Sequence, residues 1–244
     1  MPARNVLVLD KKDSPWFDFL GQFLEDTPSL LEIAFDSQSA ATLLERTNPS
    51  MAFLNSELIS PLLKQKLKAV QASSPEFQFF TIGASAAPGD LARLDHFETP
   101  ENLVRFQKKL SAYFSLPEKI RVLVVDNEVE IGAMIRDFLQ ERNNPSFSVQ
   151  HTDNGKKGIE ILENGGADVL ILDVKMPIMD GREVYRRIVE KKIKVPVIIF
   201  FDAVSGEEFM EIRKIGRPAV VEKGGRESAL PEMMILIKKM VYFG

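Results

Sequence analysis

At 244 residues, 45% hydrophobic and 27% charged, the chain has the composition of an ordinary soluble globular protein long enough for two domains. A net charge of −4, with acidic residues outnumbering basic ones in both halves, argues against a basic module, so no direct nucleic acid binding is expected. The absence of cysteine excludes disulfides and thiolate metal sites and agrees with a cytoplasmic address, and no apolar run approaches the ~18 residues a membrane span needs.

The first predicted strand is "RNVLVLD", a short apolar run ending on Asp10 and followed by Lys11. Trp16, Phe19, Leu20, Phe23 and Leu24 then recur at the spacing of a helix with one core-facing side. A second apolar strand, "MAFLNSEL", carries Asn55 at its end. "FQFF", Phe77 to Phe80, reads as a buried strand rather than a docking patch, with Thr81 directly after it. His96 stands alone and reads as a surface or core residue, not a phosphocarrier. "ENLVRFQKKLSAYFS" predicts a helix ending near Ser115, and "LPEK" is a linker with little reach of its own.

The pattern then starts again. "IRVLVVDNEV" repeats the first strand, aligning Asp126 with Asp10 and Asn127 with Lys11. A helical stripe follows, Ile131, Met134, Ile135, Phe138 and Leu139, and later an isolated His151. In "DVLILDVKMPIMDG" the apolar run Val169 to Leu172 is bounded by polar residues and proline, so it reads as a strand buried on both faces, with Asp173 at its C-terminal end. Asp173 answers Asn55 of the first copy. Asp180-Gly181 turns the chain into the helix "REVYRRIVEKK". "VPVII" is a further strand, followed by Phe201 and Asp202, and "AVVEK" is the last, ending on Lys223. Met233, Met234, Ile237, Met240 and Val241 form the core stripe of a final helix whose outer face is available for a dimer.

Two copies of one alternating pattern predict an α/β chain of two tandem (βα)5 domains, residues 1–117 and 118–244. Each is a five-stranded parallel sheet with right-handed crossovers that put helices on both faces. Ligands of such sheets bind at the C-terminal strand ends, so Asp126, Asp173 and Lys223 are expected to converge on one edge. Two carboxylates beside the Asn127 amide offer oxygen ligands to a hard cation such as Mg²⁺, and a lysine opposite neutralises a phosphoryl oxygen. That is equipment for phosphoryl transfer onto a carboxylate.

"VLVVDNE", "LILDVKMPIMDG", "VPVII" and "VVEK", in this order and spacing, resemble the receiver domain of two-component response regulators over roughly residues 119 to 244. The resemblance implies a flavodoxin-like, CheY-like fold. It also implies that Asp173 is the phosphoacceptor, charged by a histidine kinase or phosphotransfer protein. Mg²⁺ would be held by Asp126, Asn127, Asp173 and the backbone carbonyl of Lys175, and Lys223 would contact the phosphoryl group. Three positions depart from the family pattern. Asn127 replaces a second acid, which weakens the metal site; Phe201 replaces a Ser or Thr that drives the switch; and Gly224 replaces proline.

The first copy resembles the family through the repeat, the order of elements and the "VLVLD" strand rather than through a specific motif. Asn55 replaces the acceptor, so no acyl phosphate forms there, and Thr99-Pro100 falls where Lys-Pro is expected. It reads as a degenerate pseudo-receiver in which Asp10, Lys11 and Asn55 make a structural cluster, with the Lys11 ammonium pairing to Asp10. The leading function is a response regulator that signals through changed protein contacts with an effector protein or a missing output domain, and with no enzymatic activity beyond self-phosphorylation and dephosphorylation. The alternative is a phosphorylation-independent interaction or homodimerisation module. A metal-dependent phosphatase with an aspartyl nucleophile is disfavoured, because its general acid would stand at Lys175.

Overall fold

Short runs of β-branched, leucine and phenylalanine residues become strands because a parallel strand covered on both faces wants apolar side chains at every position. A computed structural model of the chain describes residues 4–84, 95–100, 102–202, 206–224 and 226–244. It divides into two compact units, Met1–Ser115 with Phe243–Gly244, and Leu116–Tyr242.

In the first unit β1 (Val6–Leu9), α1 (Pro15–Leu24), β2 (Leu31–Ala34), α2 (Ser37–Thr47), β3 (Met51–Asn55), α3 (Pro61–Ser73), β4 (Gln78–Ile82), β5 (His96–Phe97) and α4 (Leu103–Leu110) follow in order. The second contains β6 (Lys119–Val125), α5 (Val129–Gln140), β7 (Ser146–Thr152), α6 (Gly155–Glu163), β8 (Val169–Leu172), α7 (Gly181–Glu190), β9 (Val197–Phe201), α8 (Gly206–Ile215), β10 (Ala219–Glu222) and, up to Tyr242, α9 (Arg226–Phe243). The strand orders are β2-β1-β3-β4-β5 and β10-β9-β8-β6-β7, and every pairing within them is parallel. Read from opposite ends, these are the same flavodoxin-like order. Both expected five-stranded sheets are therefore present.

Helix starts follow side-chain chemistry. Ser14, Asp36, Ser60, Asn102, Asn154 and Asp180 each accept a backbone N–H of the turn they open, an arrangement that contributes about 1 kcal/mol apiece. Helix α4 is shorter than the sequence pattern suggests. After Leu110 the chain tightens into a 3-10 turn over Ser111–Tyr113, held by Gln78 Nε2 donating to the Tyr113 carbonyl and by the Tyr113 hydroxyl donating to Asp95 at 3.2 Å.

Alternation along the strands sorts the second unit into two layers. Val122 and Val124 of β6, Val169 and Ile171 of β8, and Phe200 of β9 pack with Ile131 and Ile135 of α5 and with Met233, Ile237 and Met240 of α9. Leu123, Leu170, Leu172 and Ile199 face the other way, against Ile159 of α6, Val184 and Ile188 of α7 and Ile212 of α8. The first unit repeats this arrangement: Leu7, Leu9, Ala52, Leu54 and Phe79 are buried under α2 and α3. Its opposite face is aromatic, with Phe53, Phe97 and Phe106 in mutual ring contact. The predicted burial of Phe79 and Phe80 is complete.

Candidate functional site

Asp126, Asp173 and Lys223 each occupy the first position beyond a strand, and each is fastened there by its backbone. Asp126 N–H donates to the carbonyl of Thr152 at the end of β7 (3.1 Å), Asp173 N–H to Val125 at the end of β6 (2.9 Å), and Lys223 N–H to Phe201 at the end of β9 (2.6 Å). By alternation, Asp126 continues the side of Val122 and Val124, Asp173 that of Ile171, and Lys223 that of Val221, so all three side chains emerge on the face covered by α5 and α9. Strands β6 and β8 are neighbours, and the chain leaves β6 for β7 on one side and β8 on the other. The two aspartates therefore stand at the point where the strand order reverses, where such sheets bind ligands.

The three side chains meet. Lys223 Nζ lies 2.9 Å from Asp126 Oδ2 and 2.9 Å from Asp173 Oδ1, with all three residues buried. To reach them from β10 the lysine crosses the end of β9, its ammonium 5.7 Å from the ring centroid of Phe200. Burial works against the charged Lys223, but hydrogen bonds and charge from Asp126 and Asp173 outweigh it and hold the ammonium above its ordinary range. Burial pushes Asp126 up, opposed by the Glu128 N–H (2.8 Å) and by Lys223. Only fixed charge pairs of this geometry are tolerable in such a setting, because an unpaired buried ion costs several kcal/mol.

Asn127 and Lys175 are exposed at the same edge. The buried oxygens are carboxylate oxygens, and the exposed Asn127 next to Asp126 carries an amide oxygen, a donor set of the chemistry a hard divalent cation prefers. Sequence reasoning passed over two residues here and saw only part of the role of a third. Glu128, half-exposed, brings Oε1 to 3.7 Å from Lys223 Nζ; the signal available was its adjacency to Asp126-Asn127. Phe200 floors the lysine, and nothing in sequence distinguished it from Phe201, which points into the opposite layer. Gly181 was read as a turn residue, but a Cβ there would lie 2.0 Å from the Asp173 carbonyl oxygen, so it is the close approach of α7 behind Asp173 that demands glycine. His151 is half-buried, its Nε2 hydrogen-bonded to the Asp126 carbonyl at 2.8 Å and its ring packed where Gly132 leaves space.

The equivalent edge of the first unit is closed by neutral partners. Asp10 N–H donates to Ala34 at 3.2 Å, and the carboxylate accepts from Asn55 Nδ2 (2.7 Å), the Ser14 hydroxyl (2.5 Å) and the Lys11 N–H (2.8 Å). The expected pairing of the Lys11 ammonium with Asp10 is not what forms. With Asp10 already saturated, Lys11 Nζ turns outward to Glu57 at 2.7 Å, and that contact, chiefly its hydrogen bond, raises the lysine above its ordinary range. Thr81, directly after the buried Phe79 and Phe80, pairs its hydroxyl with His96 Nδ1 at 2.9 Å.

Residues 122–235 match the family model of the response regulator receiver domain. The second unit is a receiver domain of two-component systems. Among curated proteins, the chain is 32% identical over 118 residues to the transcriptional regulatory protein QseB of Escherichia coli O157:H7, covering 46% of this chain and 52% of that protein. It is 31% identical over 97 residues to the cell cycle response regulator CtrA of Brucella ovis, covering 40% of each. A third relative, the protein-glutamate methylesterase/protein-glutamine glutaminase of Clostridium acetobutylicum, is 35% identical over 83 residues, covering 34% of this chain and 24% of that protein. The matched stretches thus span about half or less of these relatives. Similar solved structures include the response regulator domain of Thermotoga maritima CheB (22% identity, TM-score 0.45, 50% of this chain and 96% of that one). The receiver domain of the putative response regulator NarL from Mycobacterium tuberculosis is another (21%, TM-score 0.45, 50% and 98%).

Proposed function

We propose that Asp173 is a phosphoacceptor and that the chain works as a response regulator, taking a phosphoryl group from a histidine kinase or phosphotransfer protein and signalling through altered protein contacts in the cytoplasm. The observation that carries this reading is the buried bridge in which Lys223 Nζ holds Asp126 and Asp173 at 2.9 Å each. In the transfer step an Asp173 carboxylate oxygen attacks the phosphorus of a phosphohistidine. The new P–O bond forms as the P–N bond breaks, and the electron pair stays with the donor imidazole. Lys223, already beside Oδ1, is within reach of the phosphoryl oxygens that replace its carboxylate contact, and supplies a point charge there. Asp126, Asn127, Asp173 and the Lys175 carbonyl would hold Mg²⁺, whose chemistry is to neutralise the phosphoryl charge. Two carboxylates suffice for an ion that keeps several waters and binds the phosphate itself, and the neutral Asn127 makes the site weaker than one with a third acid.

The experiment is intact mass after incubation with acetyl phosphate and Mg²⁺, beside Asp173→Asn and beside a chelator. A single phosphoryl adduct lost in both controls is expected; no adduct would remove the proposal.

Phe201 favours a second reading. Its half-buried ring packs with the α6, α7 and α8 layer and offers no hydroxyl to a phosphoryl group, so the response does not run through a Ser or Thr at that position. On this reading the tandem, with a degenerate first unit spanning residues 1–117 and a receiver over 118–244, serves as a phosphorylation-independent interaction or homodimerisation module. A beryllium fluoride complex with Mg²⁺ separates the two: altered partner binding or assembly state supports the first, and no change supports the second. Among the described residues no helix is long and apolar enough to cross a membrane.

A further inference from the structure

The first unit carries a cleft that its loss of acceptor chemistry does not explain. Between β5 and α4, His96, Phe97, Thr99, Arg105, Phe106 and Lys109 line a cavity of about 110 Å³. That volume is several times the ~30 Å³ share of a water molecule and well below the ~300 Å³ of a drug-sized site, so it suits a small group. We propose that this cleft binds a small oxyanion, a carboxylate or phosphate group carried on a flat apolar body.

Four polar groups and two rings support the assignment. Arg105 and Lys109 are one turn apart on α4 and so share a face. Lys109 is held in place: its ammonium lies 3.0 Å from Asp95 Oδ2, 3.4 Å from the His96 carbonyl and 4.4 Å from the Phe97 ring centroid. Asp95 offsets that charge. Arg105 has no ion pair among the described residues, which leaves the cleft with a net cation and a planar fork suited to an oxyanion. His96 adds an imidazole to the lining. Thr81 is fully buried and its hydroxyl needs an acceptor; if it donates to His96 Nδ1 at 2.9 Å, the imidazole proton stands on Nε2. Thr99 supplies a hydroxyl. The buried rings of Phe97 and Phe106, 5.0 Å apart between centroids, form the apolar wall. None of this depends on phosphoryl transfer in the second unit.

The chain has two histidines and one tryptophan, which makes the test specific. His96 lines the cleft and His151 lies in the other unit, while Trp16 sits 6.3 Å and 6.1 Å from Phe97 and Phe106 between ring centroids. The full chain would be titrated with inorganic phosphate, benzoate and phenyl phosphate at fixed pH and constant ionic strength. The readouts are the two imidazole resonances and Trp16 fluorescence. The expected result is a saturable His96 shift with His151 unmoved, tighter binding of the ring-bearing anions than of inorganic phosphate, and about tenfold weaker binding in Arg105→Gln. The stronger of benzoate and phenyl phosphate identifies the natural oxyanion. Arg105 is exposed, so its variant keeps the fold testable alongside by circular dichroism. A shift confined to His151, no saturation at His96, no preference for the ring-bearing anions, or equal affinity in Arg105→Gln would overturn the proposal.

Discussion

A methyl group on Gly181 would stand 2.0 Å from the carbonyl oxygen of Asp173 and 2.9 Å from the Cα of Val174. The first turn of α7 thus presses on the backbone that aims Asp173 at its partners. Gly181→Ala is expected to destabilise the second unit by about 1–3 kcal/mol or more, since the obstructing atoms are main chain and cannot rotate away. Gly206→Ala, where a Cβ meets nothing within 4 Å, should be neutral or slightly stabilising. Urea midpoints of the two variants give the comparison, and equal midpoints would contradict it.

Lys223 is held above its ordinary range, so its contribution to stability is complete below about pH 10.4, its unfolded value, and is lost as pH rises through the folded one. At neutral pH the ion is wholly present. Lys223→Met leaves Asp126 and Asp173 facing each other unpaired, and a loss of about 3–5 kcal/mol is expected. Burial already pushes Asp126 up, and a carboxyl with a raised folded value gains stability as pH falls. The deficit should therefore narrow from pH 8 to pH 5. Denaturation of both proteins at the two values measures it; a deficit independent of pH would show that charge is not its cause.

Restoring an acid at the vestigial site should harm the first unit. Asn55 Nδ2 donates to Asp10 Oδ1 at 2.7 Å, and the Lys11 ammonium is engaged by Glu57 rather than available between them. Asn55→Asp replaces a hydrogen bond with two facing carboxylates. A loss of about 1–3 kcal/mol near neutral pH is expected, relieved on acidification as the pair comes to share a proton. An Asn55→Asp protein as stable as the parent at pH 7 would mean that a cation reaches the pair.

Arg121 clamps Asp168 between the start of β6 and the approach to β8, through its guanidinium at 2.6 Å and its own N–H at 2.8 Å. Burial pushes Asp168 up, but the Arg121 hydrogen bonds and charge prevail and hold it below the ordinary carboxylate range. A lowered folded value gives stability that is present above about pH 3.9 and is lost as pH falls through the folded value. Because the pair is partly exposed, Asp168→Asn should cost no more than about 1 kcal/mol at pH 7, and the two proteins should converge as pH falls through the folded value. Parallel acid titrations by circular dichroism read this.

How much of this was legible in the sequence depended on whether a feature is local. The apolar run Val169 to Leu172 and the repeated "VLVLD" and "VLVVD" announce buried parallel strands, because their chemistry is written in consecutive residues. The convergence of Asp126, Asp173 and Lys223 followed from strand ends and the repeat. Side-chain reach did not. Lys11 chose Glu57 only because Asn55 and Ser14 had filled Asp10, a competition between residues distant in sequence. The role of Gly181 required the distance to Asp173, and strand β5 is two residues set between charges, too short for any period to show. The cleft beside it joins β5 to α4, which no local pattern connects.

The central claim is that Asp173, and no other carboxylate, accepts phosphate. Acyl phosphates are reduced by borohydride to the alcohol, so a protein treated with acetyl phosphate and Mg²⁺ and then reduced should carry homoserine at position 173 on peptide mapping. Positions 10 and 126 should remain aspartate. Homoserine at either of those positions, or an unreduced position 173 in a protein that has gained phosphate, would contradict the account.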